Sequence, residues 1–100
     1  LMKNEKQFGL ELEKWCKRLG WRYYHTFKSK FSAPGYPDYT LVNTEQKRVV
    51  FAELKMPGNK PTPKQQEWLD DLAAAGQEVY LWYDTEDGWQ EILRVLREPD

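Results

Sequence analysis

Apolar residues near the start of the chain recur at helical spacing. Phe8, Leu12, Trp15, Cys16 and Leu19 share one face, and Gly20 supplies the stop. At about 100° per residue Glu5 lies within that stripe, Glu11 at its border and Glu13 outside it. The period then changes. Residues 21–27 alternate, with Trp21, Tyr23, His25 and Phe27 on one side and Arg22, Tyr24 and Thr26 on the other, which predicts a strand. A polar loop with Pro34 and Gly35 spans 28–36, a short strand is expected over 38–43, and a turn over 44–47 leads into a third strand, Arg48–Lys55. The third strand begins as an unbroken apolar run, so it is expected to be central and covered on both faces.

After the loop at 56–61, Thr62 and Pro63 open a helix expected over 63–75. Trp68, Leu69 and Leu72 form its apolar face and Gly76 ends it. Glu78–Tyr83 predicts a fourth strand. Past an acidic turn at 84–87, Trp89, Ile92, Leu93 and Leu96 mark a last amphipathic helix. The first three strands can pair as an antiparallel meander, and the helix at 63–75 is long enough to cross over into a parallel fourth. The expectation is a mixed α/β sandwich with helices on both faces of the sheet, in a single domain over residues 1–100. Leu1, ahead of Met2, reads as a remnant of expression and is left out of the fold argument.

Composition narrows the class of protein. With 40% hydrophobic and 31% charged residues the chain is an ordinary globular domain rather than a disordered one. Cys16 is the only cysteine, which excludes an intrachain disulfide, and there is neither a signal-peptide pattern nor an apolar run of spanning length. A soluble, intracellular protein without a membrane partner is expected. Rings make up 15% of the chain, mostly in patterned segments, so core filling is their commoner use and a partner surface the second. The net charge of −1 hides an asymmetry: residues 1–64 carry +7 and residues 65–100 carry −8. One face turned toward a polyanion would produce this, as would a dipolar surface without a ligand.

The candidate chemistry lies at the end of the third strand. Glu53 and Lys55 are two apart, so their side chains share a face. Burying a carboxylate there is costly unless it is paired or ligates a metal. Asp38 opens the neighbouring strand after the turn Pro34-Gly35-Tyr36-Pro37 and, with hairpin pairing around 44–47, comes near Glu53 across the ladder. Two acids so placed repel unless a divalent cation lies between them, and oxygen ligands suit Mg²⁺ or Mn²⁺. The plainer reading is a Glu–Lys pair at a strand end and an Asp that caps a turn. His25 is the sole histidine and is expected to be packed rather than catalytic. No second His or Cys completes a zinc site, no nucleophile triad is apparent, and no Gly-rich phosphate loop points to a nucleotide cofactor.

Gly35-Tyr36-Pro37-Asp38 followed by Phe51-Ala52-Glu53-Leu54-Lys55 resembles the Asp…Glu-x-Lys signature of the PD-(D/E)XK nuclease superfamily. The chain is more narrowly similar to its virus-type replication-repair nuclease (VRR-NUC) domains, in particular stand-alone viral or phage-like members. The likeness continues through Glu5-Lys6-Gln7-Phe8, residues 20–26, Pro63-Lys64-Gln65-Gln66-Glu67-Trp68-Leu69 and residues 75–80. It implies a restriction-endonuclease-like mixed sheet. It also implies Asp38, Glu53 and the Leu54 backbone carbonyl as metal ligands, Lys55 as the catalytic lysine, and Gln65 and Glu5 as flanking members of the site. One departure is Gly9, where many relatives carry a polar residue, often Gln. Gln65 also completes a capping box with Thr62, and Glu5 also suits a helix first turn. Lys28, Lys30, Lys60 and Lys64 flank the proposed site as candidate DNA-phosphate contacts.

The expected protein is therefore a Mg²⁺-dependent endodeoxyribonuclease, with Mn²⁺ as a substitute. The resemblance implies a homodimer selective for branched DNA such as four-way (Holliday) junctions, acting in a host cytoplasm if the chain is viral. The alternatives are a flap, nick or duplex nuclease working with a partner, and a non-catalytic nucleic-acid-binding module.

Overall fold

The computed structural model describes residues 2–97. Leu1, read above as a remnant of expression, lies outside the described residues. The elements run α1 (Glu5–Arg18), β1 (Arg22–His25), β2 (Tyr39–Asn43), β3 (Arg48–Lys55), α2 (Pro63–Ala74), β4 (Glu78–Tyr83) and α3 (Glu86–Arg97). They form one four-stranded sheet in the order β1-β2-β3-β4. The first three strands pair antiparallel and β4 joins β3 in parallel, the crossover being made by α2. This is the mixed α/β architecture expected from the periodicities.

The sheet has two unlike faces. Val50, Ala52 and Leu54 of β3 pack with Phe8, Leu12 and Cys16 of α1 and with Ile92, Val95 and Leu96 of α3, in one buried core that also holds Leu41 and Trp82. Burial, helped by the charge of Glu13, pushes the Cys16 thiol up to about 12, so the residue serves as a small core side chain. The other face belongs to α2. Tyr36 packs edge-on against Phe51 of β3 (centroids 6.4 Å) and Trp68 of α2 (5.0 Å). The far end of the sheet is clamped by Arg48, which donates to both carboxylate oxygens of Glu78 and to the Val95 carbonyl. Those hydrogen bonds hold the Glu78 carboxyl below its ordinary range.

Three expectations change. β1 ends at His25 and Phe27 is 78% exposed, so the alternation runs past the paired segment. The ladder stops because the opposite chain becomes Pro37, which lacks an N–H; Thr26 makes the last contacts, its N–H donating to the Asp38 carbonyl and its hydroxyl to that of Pro37. The cover over β3 is also incomplete, since Val49 is 41% exposed on the α2 face. Finally, Asp84 of the expected acidic turn is buried and accepts hydrogen bonds from the Met2 N–H and the Trp89 indole.

Candidate active site

β3 enters the sheet as an apolar strand and leaves it as Glu53-Leu54-Lys55, so a carboxylate and an ammonium end up on the face that α2 covers. Tyr39 pairs with Ala52, which sets Asp38 opposite Glu53 one step further along the ladder. Asp38 is buried, and one of its oxygens accepts the Leu54 N–H at 2.9 Å. That bond shows Leu54 turned toward β2 where β2 has already ended. Its carbonyl leaves the strand on the same side as its N–H. Asp38 and Glu53 thus face one another across the β2–β3 pair, with the Leu54 backbone at its open end.

Glu53 is fully buried, and neither of its carboxylate oxygens has a hydrogen-bond partner. The nearest cation is Lys55, whose ammonium stands 3.8 Å from Oε2 and is itself largely buried. Burial above all, then the Asp38 charge, pushes the Glu53 carboxyl up to about 8 against the opposing pull of Lys55 and Lys28, with Glu5 adding to the rise. A buried carboxylate that accepts no hydrogen bond and faces a second acid is a donor set that fits a divalent cation. Among the described residues no three His, Cys, Asp or Glu side chains converge as a metal-holding group. A cation here would therefore take its third protein ligand from the backbone, as the Leu54 carbonyl allows.

A hollow of about 420 Å³ opens beside the pair, lined by Glu5, Lys6, His25, Lys28, Asp38 and Leu54 among others. Glu5, from the first turn of α1, is half-buried at its wall rather than within the core. Lys28 reaches the other Asp38 oxygen at 3.3 Å. Partial burial pulls the Lys28 ammonium down, but Asp38, with Glu53 and Glu5 behind it, outweighs this and the net shift is upward. His25 stacks on Tyr39 (centroids 4.6 Å, planes 9° apart) and stays exposed along the hollow.

Gln65 lies near this region on α2, with its side-chain oxygen already engaged. It accepts the Thr62 N–H at 2.9 Å while Thr62 accepts the Gln65 N–H, completing the capping box. Lys28, Lys30 and Lys64 line a second groove next to the hollow. Lys60 is exposed and is absent from the lining of either cavity.

The periodicities did not reveal a cluster behind the site. A Cβ on Gly9 would stand 2.6 Å from the Tyr39 hydroxyl, so the glycine makes room for that ring. The hydroxyl donates to Glu13 at 2.6 Å, which explains why an acid outside the apolar stripe is half-buried. Burial and this bond push the Tyr39 phenol far up and keep it protonated. The only signal in the chain was the coincidence of a mid-helix glycine with a bulky residue after Asp38.

Sheet topology and two buried acids facing across β2 and β3 define a mixed α/β domain with a carboxylate site at one end of the sheet. The family model of the VRR-NUC domain matches residues 4–84, and the chain belongs to that family. Among solved structures, a VRR_NUC domain protein superposes with a TM-score of 0.69 at 21% identity, over 91% of this chain and 85% of that one. Archaeoglobus fulgidus Hjc, a Holliday junction resolvase, superposes with a TM-score of 0.59 at 18% identity, over 78% of this chain and 66% of its own. Both likenesses are likenesses of fold. The Fanconi-associated nuclease 1 homologs of Caenorhabditis elegans and Caenorhabditis briggsae are 47% and 44% identical to this chain over 45 residues. That stretch is 45% of this chain and only 5% of each of those proteins.

Proposed function

We propose that this domain hydrolyses phosphodiester bonds in DNA with the help of a divalent cation, and that it prefers branched substrates. The observation that carries the reading is Glu53, a buried carboxylate facing Asp38 whose oxygens accept no hydrogen bond. Asp38, Glu53 and the Leu54 carbonyl would hold the ion, and their all-oxygen character suits Mg²⁺ with Mn²⁺ as a substitute. Such an ion supplies Lewis acidity toward the scissile phosphate and a more acidic attacking water.

The chain's own residues supply the rest. Lys55 is shielded from solvent and anchored by Glu53, so its ammonium is placed to orient the attacking water and to offset charge developing on the phosphate. Lys28 steadies Asp38 and adds positive charge at the hollow's rim. Glu5 lines the entrance, and Gln65 fixes the start of α2 beside it. Branched-DNA selectivity is supported by the fold shared with a Holliday junction resolvase, and one acid pair per copy suits a symmetric dimer that makes two cuts. A second reading, a flap, nick or duplex nuclease acting with a partner, draws on the curated relatives, in which the matched stretch is a small part of a far longer protein.

Cleavage of an end-labelled four-way junction beside a matched linear duplex, with Mg²⁺, Mn²⁺ or EDTA, tests the proposal. Paired nicks in the junction alone, lost in EDTA, are expected. Glu53→Ala and Lys55→Ala should each abolish them with the circular dichroism spectrum unchanged; full activity in either variant would sink the assignment. Equal cutting of both substrates would leave a nuclease and remove the branch preference.

A further inference from the structure

Beside the carboxylate hollow, and sharing Thr26, Phe27 and Lys28 with it, lies a larger groove of about 930 Å³ between β1, the loop after it and the start of α2. Its lining includes three lysines, Lys28, Lys30 and Lys64, and no aspartate or glutamate, in a chain with 16 acids. Its rim carries rings with no core to enter, Tyr24 at 61% exposed and Phe27 at 78%; Phe31, further along the same loop and outside the lining, is 88% exposed with the Lys30 ammonium 5.2 Å from its ring centroid. The other exposed large apolar residues, Leu10 and Val49, are aliphatic and lie elsewhere in the fold. Trp68 adds a ring to the groove's wall.

Lysines without acids favour a polyanion, and the site's own phosphate binding would bring one to the groove's edge. A phenylalanine ring has no hydrogen bond to offer a sugar-phosphate backbone. Its favourable contact with a nucleic acid is the face of a base, and that face is available only where the base is unpaired. The groove's volume is within the range of about 300–1,000 Å³ that takes a drug-sized ligand, and a nucleotide is of that size. We infer that the groove holds an unpaired nucleotide of the DNA strand whose scissile phosphate sits in the hollow, with its base stacked on Phe27 and Phe31 and its phosphates met by Lys30 and Lys64. The inference deepens the nuclease reading, on which it rests, by naming what the enzyme favours next to the cut: a nucleotide free to leave its pair, as at a branch point.

Direct binding in EDTA tests this apart from catalysis. The probes are a fluorescent oligothymidylate, a blunt duplex of equal length, and that duplex carrying a short internal thymidine bulge, titrated by anisotropy. Wild-type protein should bind the single strand and the bulge more tightly than the blunt duplex. Phe27→Ala/Phe31→Ala should weaken the first two by about tenfold or more, from two lost stacking contacts, and leave the blunt duplex unchanged. Because both rings are exposed, the thermal midpoint should stay put, which separates lost stacking from lost fold. Lys30→Ala/Lys64→Ala should instead weaken every probe and flatten the salt dependence.

Equal affinity of wild type for duplex and single strand would overturn the inference, as would unaltered single-strand binding by the phenylalanine variant. A change in that variant's sedimentation without a change in binding would assign the rings to a subunit contact and also overturn it. Stacking-dependent binding by a wild-type protein that cuts nothing with either metal would uphold the groove and overturn the nuclease reading.

Discussion

Glu53 is fully buried and neither oxygen accepts a hydrogen bond, so ionising it in the folded chain leaves a charge with little compensation beyond Lys55. Its folded pKa is pushed to about 8 from an ordinary 4.5. Between those two values the native chain keeps a proton that the unfolded chain has released. Stability from this group is thus fullest below the lower value and is lost as pH rises through the upper one. The thermal midpoint of the metal-free protein should fall between about pH 5 and pH 8.5. The loss is on the order of a few kcal/mol, or roughly 20 °C for a domain of this size. Glu53→Gln should remove most of that fall, and saturating Mg²⁺ should do so for wild type by binding the ionised form. Differential scanning fluorimetry across pH would decide it: parallel curves for wild type and variant would mean that Glu53 is not the group responsible. The same variant should be inactive, a trade of function against stability that buried ligand carboxylates make general.

At the scale of elements, the site depends on how the 26–38 segment is pinned to α2. Gly35 has φ +92°, and a Cβ there would stand 2.6 Å from the Lys64 carbonyl carbon and oxygen. The loop therefore touches the backbone at the first turn of α2 where only glycine fits. Gly35→Ala should cost about 1–3 kcal/mol through overpacking and left-handed strain, and by shifting Asp38 it should weaken Mg²⁺ binding as well. An alanine variant with wild-type melting and metal affinity would show that the contact yields freely. This pinning was only half legible in the chain: Gly35-Pro37 read as a turn, but nothing said that the turn lands on a helix.

The strands and helices themselves were legible because each buries a face of regular period. Asp38 and Glu53 were legible as neighbours because hairpin register propagates from the 44–47 turn. What periodicity cannot carry is contact between elements distant in sequence. Gly9 yielding space to Tyr39, Tyr39 engaging Glu13, and Gly88 lying where any Cβ would strike the Tyr83 carbonyl all belong to that kind. Phe27 misled for the opposite reason: its alternation is real, but the strand that would have covered it stops at a proline.

For the whole molecule the question is how one such site could make paired cuts. The described residues measure 33 × 32 × 22 Å, about one turn of duplex DNA in the longest direction, and carry one such pair of acids, facing across β2 and β3. On the proposed function, one such site engages one strand at a time. Two symmetric nicks in a four-way junction require a two-fold arrangement in which each copy cuts its own strand, with the +7 portions of both chains turned toward the DNA. That geometry makes a prediction a monomer does not share. When wild-type protein is mixed with a growing excess of Lys55→Ala, most wild-type copies should sit in mixed dimers. Junctions should then accumulate with a single nick, paired cleavage falling off more steeply than first-strand nicking as the inactive fraction rises. If nicking and paired cleavage decline together in proportion to wild-type protein, the copies act independently and the dimer is wrong. If first-strand nicking itself falls with the square of the wild-type fraction, each site needs Lys55 from both chains, and the catalytic unit is larger than the single strand end described above.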